Sequence, residues 1–380
     1  MPFHAETARI LADLQSVSRF GRVGPTAVTR LAFTSEDNAA HRHLEALMRR
    51  EGLDTYYDAF GNFFGRRPGL DARAAVVMAG SHLDGPPKGG LYDGTAGVLC
   101  ALEAVRLLNG AGVETRRPIE VAALRCEHLD RFGLSCLGSR AMAGKLTVED
   151  LHRLGDGDGI SLAEAIRTAG HRPEDLDSAR RQGRLHAFVE LHVEQGRVLE
   201  DLGKHLGVVT CIAGPTRFRI RLTGLADHSG GTPMSLRRDA LCGAAEIILE
   251  LERMALAADG CVATVGIINV RPGAVHTIPG EAEIFVDIRG VEARTKRALV
   301  AQFREFVEEC TQRRGLEVSV ACSVDEDPVP VSPRVVDALC QTLTKLGTDF
   351  VQMPSGGGHD TQHMAACTDA GMLFIPSHRG

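Results

Sequence analysis

The chain has 380 residues, of which 44% are hydrophobic and 24% are charged, and its formal net charge is −6. This composition is typical of a globular protein with more than one domain, and it provides no overall basic field that would attract nucleic acid or an anionic membrane surface. The ten cysteines include no pair at CxxC spacing, which argues against zinc-finger and thioredoxin-like proteins. Because the charged N-terminal segment is unlike a signal peptide and no apolar stretch reaches membrane-spanning length, we expect a cytoplasmic protein.

The first half of the chain alternates between helical and strand-like hydrophobic patterns. The patterns predict helices at residues 5–18, 40–51 and 96–108, and strands at residues 74–81, 119–126 and 188–193. This β-α-β alternation predicts an α/β fold in which a mostly parallel sheet is buried by helices.

The middle of the chain changes character at the alternating segment FRIRLTG, residues 218–224. The predicted elements that follow are a helix at 236–254, strands at 263–270 and 281–289, a helix at 293–312 and a strand at 316–324. Their order, β-α-β-β-α-β, predicts a ferredoxin-like α+β domain. A helix at 333–346 and a strand at 371–377 return to the α/β style. We therefore predict one domain made of residues 1–213 and 326–380, interrupted by a second domain at residues 214–325.

Polar side chains follow the strands predicted in the first domain, beginning in the segment GSHLDGPPKGGLYDG (residues 80–94). They are His82, Asp84, Asp93, Glu127, His128 and His192. In open α/β sheets, ligands bind beyond the carboxyl ends of strands, so these side chains are expected to converge. Singly, each has an ordinary structural explanation, as a turn residue, a strand-end charge or a core histidine. Together they predict a site for a divalent cation such as Zn²⁺, Mn²⁺ or Co²⁺.

Two of the carboxylates have predicted roles beside the cation. Asp84 lies two residues after His82, so its side chain could reach the imidazole and fix its tautomer and orientation. A bound cation acidifies water, and a nearby carboxylate can accept the proton. We predict that Glu127 is this general base.

The motifs resemble the amidohydrolase branch of the M20 metallopeptidase family, which comprises N-carbamoyl-L-amino-acid hydrolases, β-ureidopropionases and allantoate amidohydrolases. The similar segments are GSHLDGPPKGGLYDG, EHLDRFGLSCLGSRAMAGK, ELHVEQGRVLE, GLADHSGGTPMSLRRDA, AVHTIPG, VDIRG and MPSGGGHDTQHMA. The resemblance implies a catalytic α/β domain interrupted by a ferredoxin-like lid domain, which also forms a homodimer.

The resemblance also implies roles for individual residues. His82, Asp93 and His192 would be metal ligands, with Asp93 bridging two metals, and Glu127 and Asp84 would be catalytic carboxylates. Several residues would contact the substrate: Gln195, His228, His276, Arg289 and the loop residues Gly357, Gly358 and His359. Arginine suits a carboxylate because its planar fork donates two hydrogen bonds. His228 would in addition stabilise the oxyanion.

The sequence departs from the family pattern near the second metal. His128 replaces a glutamate, and a neutral imidazole in place of a carboxylate should weaken that position and favour zinc-like metals. The family's last ligand, a histidine in a Gly-x-Ser-His motif, would fall just beyond Gly380, so we expect the motif to continue there. These two departures concern the second metal, so we expect one or two metals per subunit. On the substrate side, His276 replaces an asparagine, and Gly85 and Pro86 replace Thr-Val.

The predicted activity is hydrolysis of a linear amide C–N bond in a small ureido or amide carboxylate. The best candidate substrate is an N-carbamoyl-L-amino acid, which would give the amino acid, carbon dioxide and ammonia. Allantoate, another ureido acid or an N-acyl amino acid are alternative substrates. The altered second metal position also leaves open a non-catalytic homologue that binds a small carboxylate.

Overall fold

The computed structural model describes residues 4–378, which divide into two compact units. The first unit contains the chain up to Thr210 and again from Pro330, and the second unit is Cys211–Val329. The junctions predicted from the sequence, at 213/214 and 325/326, lie within a few residues of these bounds. Within residues 4–378, no helix is long and apolar enough to cross a membrane.

The helices begin and end close to the predicted positions, and several short ones were not predicted. In chain order they are α1 (Thr7–Val17), α2 (Ser35–Arg50), α3 (Thr95–Gly110), α4 (Leu137–Met142), α5 (Val148–Arg153), α6 (Leu162–Thr168), α7 (Val198–Leu202), α8 (Ala240–Ala257), α9 (Ala293–Arg314), α10 (Pro333–Lys345) and α11 (Asp360–Met364). Helix α2 shows why they form where they do. The Thr34 side chain accepts a hydrogen bond from the Asp37 amide at its N-terminus, and Arg49 and Arg50 lie in its last turn.

The strands are β1 (Ala27–Arg30), β2 (Asp54–Tyr57), β3 (Phe63–Arg67), β4 (Val76–His82), β5 (Gly85–Gly90), β6 (Ile119–Leu124), β7 (Leu185–Val193), β8 (Leu206–Ile212), β9 (Gly214–Thr223), β10 (Asp227–His228), β11 (Cys261–Arg271), β12 (Thr277–Ile278), β13 (Glu281–Gly290), β14 (Glu317–Asp325), β15 (Val329–Pro330), β16 (Phe350–Ser355) and β17 (Ala370–Ile375). Strands β1 and β5 form a small antiparallel pair, as do β10 and β12.

The main sheet has the order β15-β8-β17-β7-β4-β6-β3-β2, with β16 paired to β8. Its four central strands, β17, β7, β4 and β6, are parallel. Towards the edges, β8, β3 and β2 pair antiparallel with their neighbours. The prediction of an α/β fold is confirmed, but parallel pairing is restricted to the centre. A short connection between neighbouring strands, such as the one from β2 to β3, can join them only in antiparallel order.

Both faces of the main sheet are covered by helices. Along β6, Val121 and Ala123 pack with residues of α1, α2 and α3, whereas Ala122 and Leu124 pack with residues of α4 and α11. A strand buried on both faces has no polar alternation, which explains the apolar run from Val121 to Leu124. Because β4, β6 and β7 are parallel, their carboxyl ends lie at one edge of the sheet.

The second unit is a four-stranded antiparallel sheet with the order β11-β13-β9-β14. Residues of α8 and α9, such as Phe303 of α9, form one core with the inward residues of these strands, such as Ile220 and Ile284. This strand order, with two helices on one face, is the ferredoxin-like arrangement, and that prediction is confirmed.

Candidate metal centre

His82 is the last residue of β4, and the main chain around it fixes its ring. Its Nδ1 atom lies 2.9 Å from the backbone oxygen of Asp84. Gly94 packs against the ring with φ +57°, and a Cβ there would lie 2.5 Å from three ring atoms. Glycine is therefore the only residue that fits beside this imidazole.

Asp84 has a different role from the predicted one. Its backbone oxygen, not its carboxylate, accepts the hydrogen bond from His82, and the nearest carboxylate oxygen lies 3.9 Å from Nδ1. The carboxylate instead accepts hydrogen bonds from the amides of Glu127, at 3.2 Å, and His128, at 3.0 Å. Asp84 thus positions the loop after β6, and the prediction that its side chain orients the imidazole is wrong. Burial raises the pKa of this carboxyl to about 6.

Asp93 precedes α3 and lies between two histidines. Its Oδ2 atom is 3.0 Å from His128 Nε2, and its Oδ1 atom is 3.2 Å from His192 Nε2. Burial alone would raise the pKa of Asp93, but the hydrogen bonds from His128 and His192 hold it well below its usual range. An ionised carboxylate between two imidazoles has the geometry of a bridging ligand.

His82 and His192 point their Nε2 atoms at the same place, where a cation could be bound. His192 Nδ1 lies 2.8 Å from the Val193 backbone oxygen, as His82 Nδ1 lies near the Asp84 oxygen. A carbonyl can only accept, so both Nδ1 atoms carry a proton. The hydrogen bond to Asp93 and its charge outweigh burial and raise the pKa of His192 to about 9, so His192 Nε2 also carries a proton, which it shares with Asp93. These two Nε2 atoms are 3.2 Å apart. At this distance the two nitrogens require either a shared proton or a metal cation between them.

The donor set therefore fits a metal. One ligand atom from each of His82, Asp93 and His128 lies within 4.8 Å of the other two, and His192 joins them through Asp93 and His82. Imidazole nitrogens with a carboxylate suit zinc and neighbouring divalent metals. Burial lowers the pKa of His82 to about 3, which keeps this imidazole in the neutral form that binds metals.

Glu127 faces this cluster from the loop after β6. Its Oε2 atom lies 3.5 Å from His128 Nε2 and 3.9 Å from His82 Nε2, and burial raises its pKa. The Cys136 thiol, which the sequence analysis did not single out, donates to its Oε1 atom at 3.7 Å. Cys126 and Cys136 both have left-handed backbones, at φ +59° and +56°. Such strain persists only where the surrounding structure imposes it, as at functional loops.

Gln195 and the glycine-rich loop lie beside the same cluster. The Gln195 side-chain amide donates to Asp93 Oδ1 at 3.1 Å. The His359 ring is 1% exposed, its centroid is 4.5 Å from that of His192, and neither of its nitrogens has a partner in the described part of the chain. A Cβ at Gly357 would lie 3.3 Å from His359 Nε2, and one at Gly358 would lie 3.3 Å from Gln362 Oε1. His359 is therefore a buried imidazole with both nitrogens available to a ligand.

The remaining candidates lie elsewhere. In the second unit, His228 on β10 and His276, which directly precedes β12, are both exposed. Arg289, on β13, donates to both carboxylate oxygens of Asp287 at 3.0 and 2.9 Å. In the first unit, His378 bonds Glu200 at 2.7 Å.

Two buried arginines that the sequence analysis missed hold the loops that carry these ligands. Arg30 donates to the Leu83 backbone oxygen at 2.6 Å, between His82 and Asp84. Arg125, which precedes Cys126 and Glu127, is 2% exposed and donates to Gly61, Asp37 and Asn38. These partners are far away in the chain, so no local pattern could have revealed them.

Comparison with known proteins agrees with this geometry. Residues 80–380 match the family described as Peptidase family M20/M25/M40. An N-carbamoyl-L-amino-acid amidohydrolase of Paenarthrobacter aurescens is 40% identical over 99% of this chain and 92% of its own length. A ureidoglycolate hydrolase of Arabidopsis thaliana is 35% identical over 97% of this chain and 79% of its own length.

A solved structure matches the whole fold. The crystal structure of an amidase of the hydantoinase/carbamoylase family from Burkholderia multivorans superposes with a TM-score of 0.93 and 34% identity, covering 99% of this chain and 91% of that one. The family match, the similar relatives and the solved structure all indicate an amidohydrolase of one family. The chain belongs to peptidase family M20/M25/M40, in its metal-dependent amidohydrolase branch, whose members hydrolyse linear amides.

Proposed function

We propose that this enzyme hydrolyses N-carbamoyl-L-amino acids to the amino acid, carbon dioxide and ammonia, consuming one water molecule. The observation that supports this proposal is the convergence of His82, Asp93, His128 and His192 with Glu127 at one edge of the sheet. The relative with 40% identity carries this activity in its name.

In this proposal, His82, Asp93 and His192 hold one divalent cation, and His128 with Asp93 contributes to a second position. When bound, the cation would acidify water and polarise the carbonyl group of the substrate. Zinc, manganese and cobalt all suit these ligands.

Glu127 moves the proton in the proposed reaction. Its raised pKa and its position against the ligand cluster suit a base that accepts a proton from water and then delivers it to the leaving nitrogen. One proton is taken up and one is released, so the carboxylate is regenerated in each turnover. Asp84 supports this step indirectly because it holds the Glu127 amide.

Substrate recognition is proposed for residues of both units. Gln195, His359 and the backbone amides of Gly357 and Gly358 would bind the substrate from the first unit. His276 and Arg289 would bind its carboxylate, and His228 would stabilise the oxyanion, with the second unit acting as a lid that closes over the substrate. Arg289 would share its guanidinium between Asp287 and the substrate.

Ammonia release from N-carbamoyl-L-amino acids, with Zn²⁺, Mn²⁺ or Co²⁺ supplied, tests the proposal. Glu127→Gln should lower kcat by about 10²- to 10⁴-fold, the range for loss of a general base. Glu305→Gln, an exposed glutamate on α9 of the second unit, is the control and should leave kcat unchanged. Equal rates in the Glu127→Gln and Glu305→Gln variants would contradict the assignment of the base.

A second candidate substrate is another ureido acid, because a relative with 35% identity is named a ureidoglycolate hydrolase. Allantoate and N-acyl amino acids are further alternatives. A panel of purified substrates, compared by kcat/KM, separates these activities, and a carbamoyl amino acid should give the highest value.

We also propose a homodimer formed by the second unit. Its edge strand β11 pairs on one side only and exposes Val262 (61%), Ile267 (52%) and Ile268 (45%). On the neighbouring helix α8, Leu249 and Leu256 are 66% and 85% exposed. A long apolar edge strand is a template for pairing, and a second copy would cover it.

A further inference from the structure

A cleft of about 480 Å³ opens on the first unit, and nothing in the proposed reaction uses it. It lies between the end of β2, the segment after α6 and the segment after the 3₁₀ helix Pro173–Ala179. The polar and charged side chains that line it include those of Tyr57, Asp58, His171, Arg172, Arg181 and Arg184.

The walls of the cleft carry three arginines, which differ in how far they are neutralised. Arg181 lies 3.4 Å from Glu120 and packs 4.5 Å from the centre of the Phe64 ring. Arg172 pairs with an exposed neighbour, Asp175, at 3.2 Å. The exposed Arg184 guanidinium makes no hydrogen bond or ion pair with any residue from 4 to 378. Arg184 therefore presents to the cleft a guanidinium whose N–H donors are not used by the described residues, whereas Arg181 and Arg172 are each paired with a carboxylate.

The one carboxylate in the wall, Asp58, keeps its negative charge but makes no ion pair with Arg184, and its oxygens accept hydrogen bonds from neutral amides. Asp58 Oδ1 accepts hydrogen bonds from the amides of Gly61, at 2.8 Å, and Asn62, at 2.9 Å. Its Oδ2 atom accepts one from the Asn62 side chain at 2.8 Å. Asp58 closes the turn between β2 and β3.

His171 adds a buried polar atom without a partner. Its ring centroid is 5.0 Å from that of Tyr57, and its Nε2 atom is buried and unbonded within the described residues. Burial lowers the pKa of His171 to about 4, so the imidazole is neutral. Gly61, at φ +107°, has space only for a hydrogen, since a Cβ would lie 2.7 Å from His171 Cδ2. A buried polar atom without a partner is costly.

We propose that this cleft binds a small oxyanion, a carboxylate or a phosphate, through Arg184 and Arg172, with the anion next to the Tyr57–His171 pair. Guanidinium groups bind both kinds of oxyanion through paired N–H donors. The site requires neither the metal centre nor the proposed substrate. It lies against the turn whose Gly61 backbone oxygen accepts from Arg125, which precedes the Glu127 loop.

Isothermal titration calorimetry of the metal-loaded protein tests the proposal, with inorganic phosphate and acetate as probes at constant ionic strength. Arg184→Gln should weaken binding of the favoured probe about tenfold, the loss expected for one charge-assisted hydrogen bond. The control is Arg153→Gln, which removes an equal charge from an exposed position on α5 outside the cleft. It should bind like the wild type.

The outcomes are separable. Any anion bound at the metal centre persists in both variants, so only the component lost in Arg184→Gln reports the cleft. Preference for phosphate over acetate, or the reverse, identifies the class of oxyanion. The proposal is overturned if the wild type binds neither probe more tightly than Arg184→Gln does. It is also overturned if Arg153→Gln loses as much affinity for the probe as Arg184→Gln. Because Arg184 is exposed, its replacement should leave the melting temperature unchanged, and this measurement accompanies the titration.

Discussion

Replacing Arg125 with methionine should destabilise the first unit strongly. The Arg125 side chain is 2% exposed, lies 2.7 Å from Asp37, and donates to Gly61 and Asn38. Asp37 is fully buried, and its other ionisable neighbour is His41 at 3.2 Å, whose pKa is lowered by burial. Removing one partner of a buried ion pair leaves an uncompensated charge and costs about 3–5 kcal/mol. The free energy of unfolding of this unit should fall by that amount.

The composition of the chain provides a selective assay. There is no tryptophan, and the three tyrosines, Tyr56, Tyr57 and Tyr92, all lie in the first unit. Urea unfolding followed by tyrosine fluorescence therefore reports this unit alone. Asp37→Asn removes the charge that Arg125 neutralises, so the double variant should lose less stability than the sum of the single variants, by about 1–3 kcal/mol.

The pH dependence of this loss has a defined sign. Burial would raise the pKa of Asp37, but the charge of Arg125 and the hydrogen bonds that the carboxylate accepts hold it well below its usual range. A carboxyl group with a lowered folded pKa stabilises the protein above its unfolded pKa, about 3.9, and this contribution is lost as the pH falls. The difference between wild type and Arg125→Met should thus be largest near neutral pH and shrink below about pH 4. A loss under about 1 kcal/mol at pH 7, or additive single variants, would refute the reasoning.

Three further predictions concern the metal centre and assembly. Gly94→Ala, which forces a Cβ against the His82 ring, should lower the metal content measured by elemental analysis, whereas Gly110→Ala at the other end of the same helix meets no atom within 4 Å and should not. His128→Glu supplies a second carboxylate and should tighten the weaker metal position about tenfold in a metal titration; unchanged affinity would show that His128 is not a ligand. Ile267→Arg places a charge on the exposed edge strand and should yield monomers in sedimentation velocity; a persistent dimer would place the interface elsewhere.

Parts of the site could be predicted because they depend on local order. His82 follows a run of small apolar residues, and parallel strands bring their carboxyl ends to one edge of the sheet, so its approach to His192 followed from topology. Asp84 shows where this reasoning stops. Its spacing from His82 is right for a side-chain contact, but the sequence does not reveal whether the backbone or the carboxylate makes it.

Other features depend on contacts that no local pattern encodes. Strand β5, GPPKGG, has the composition of a loop and is ordered by pairing with β1. Arg125 and Asp37 are 88 residues apart in the chain, and Cys136 reaches Glu127 across a loop whose backbone is left-handed at Cys126 and Cys136. Long side chains that cross the interior are invisible to periodicity, since their partners are set by the tertiary fold.

The attachment of His82 and His192 to peptide oxygens has an evolutionary consequence. A side chain that orients an imidazole can be lost by one mutation, but the carbonyls of Asp84 and Val193 remain whatever residues stand there. The orientation of these two proposed ligands should therefore tolerate substitution of the residues around them. The His128 ring makes no such hydrogen bond to a peptide oxygen within the described residues. We therefore expect position 128 to vary most among relatives, and substitutions there to be the most direct way of changing the preferred ion.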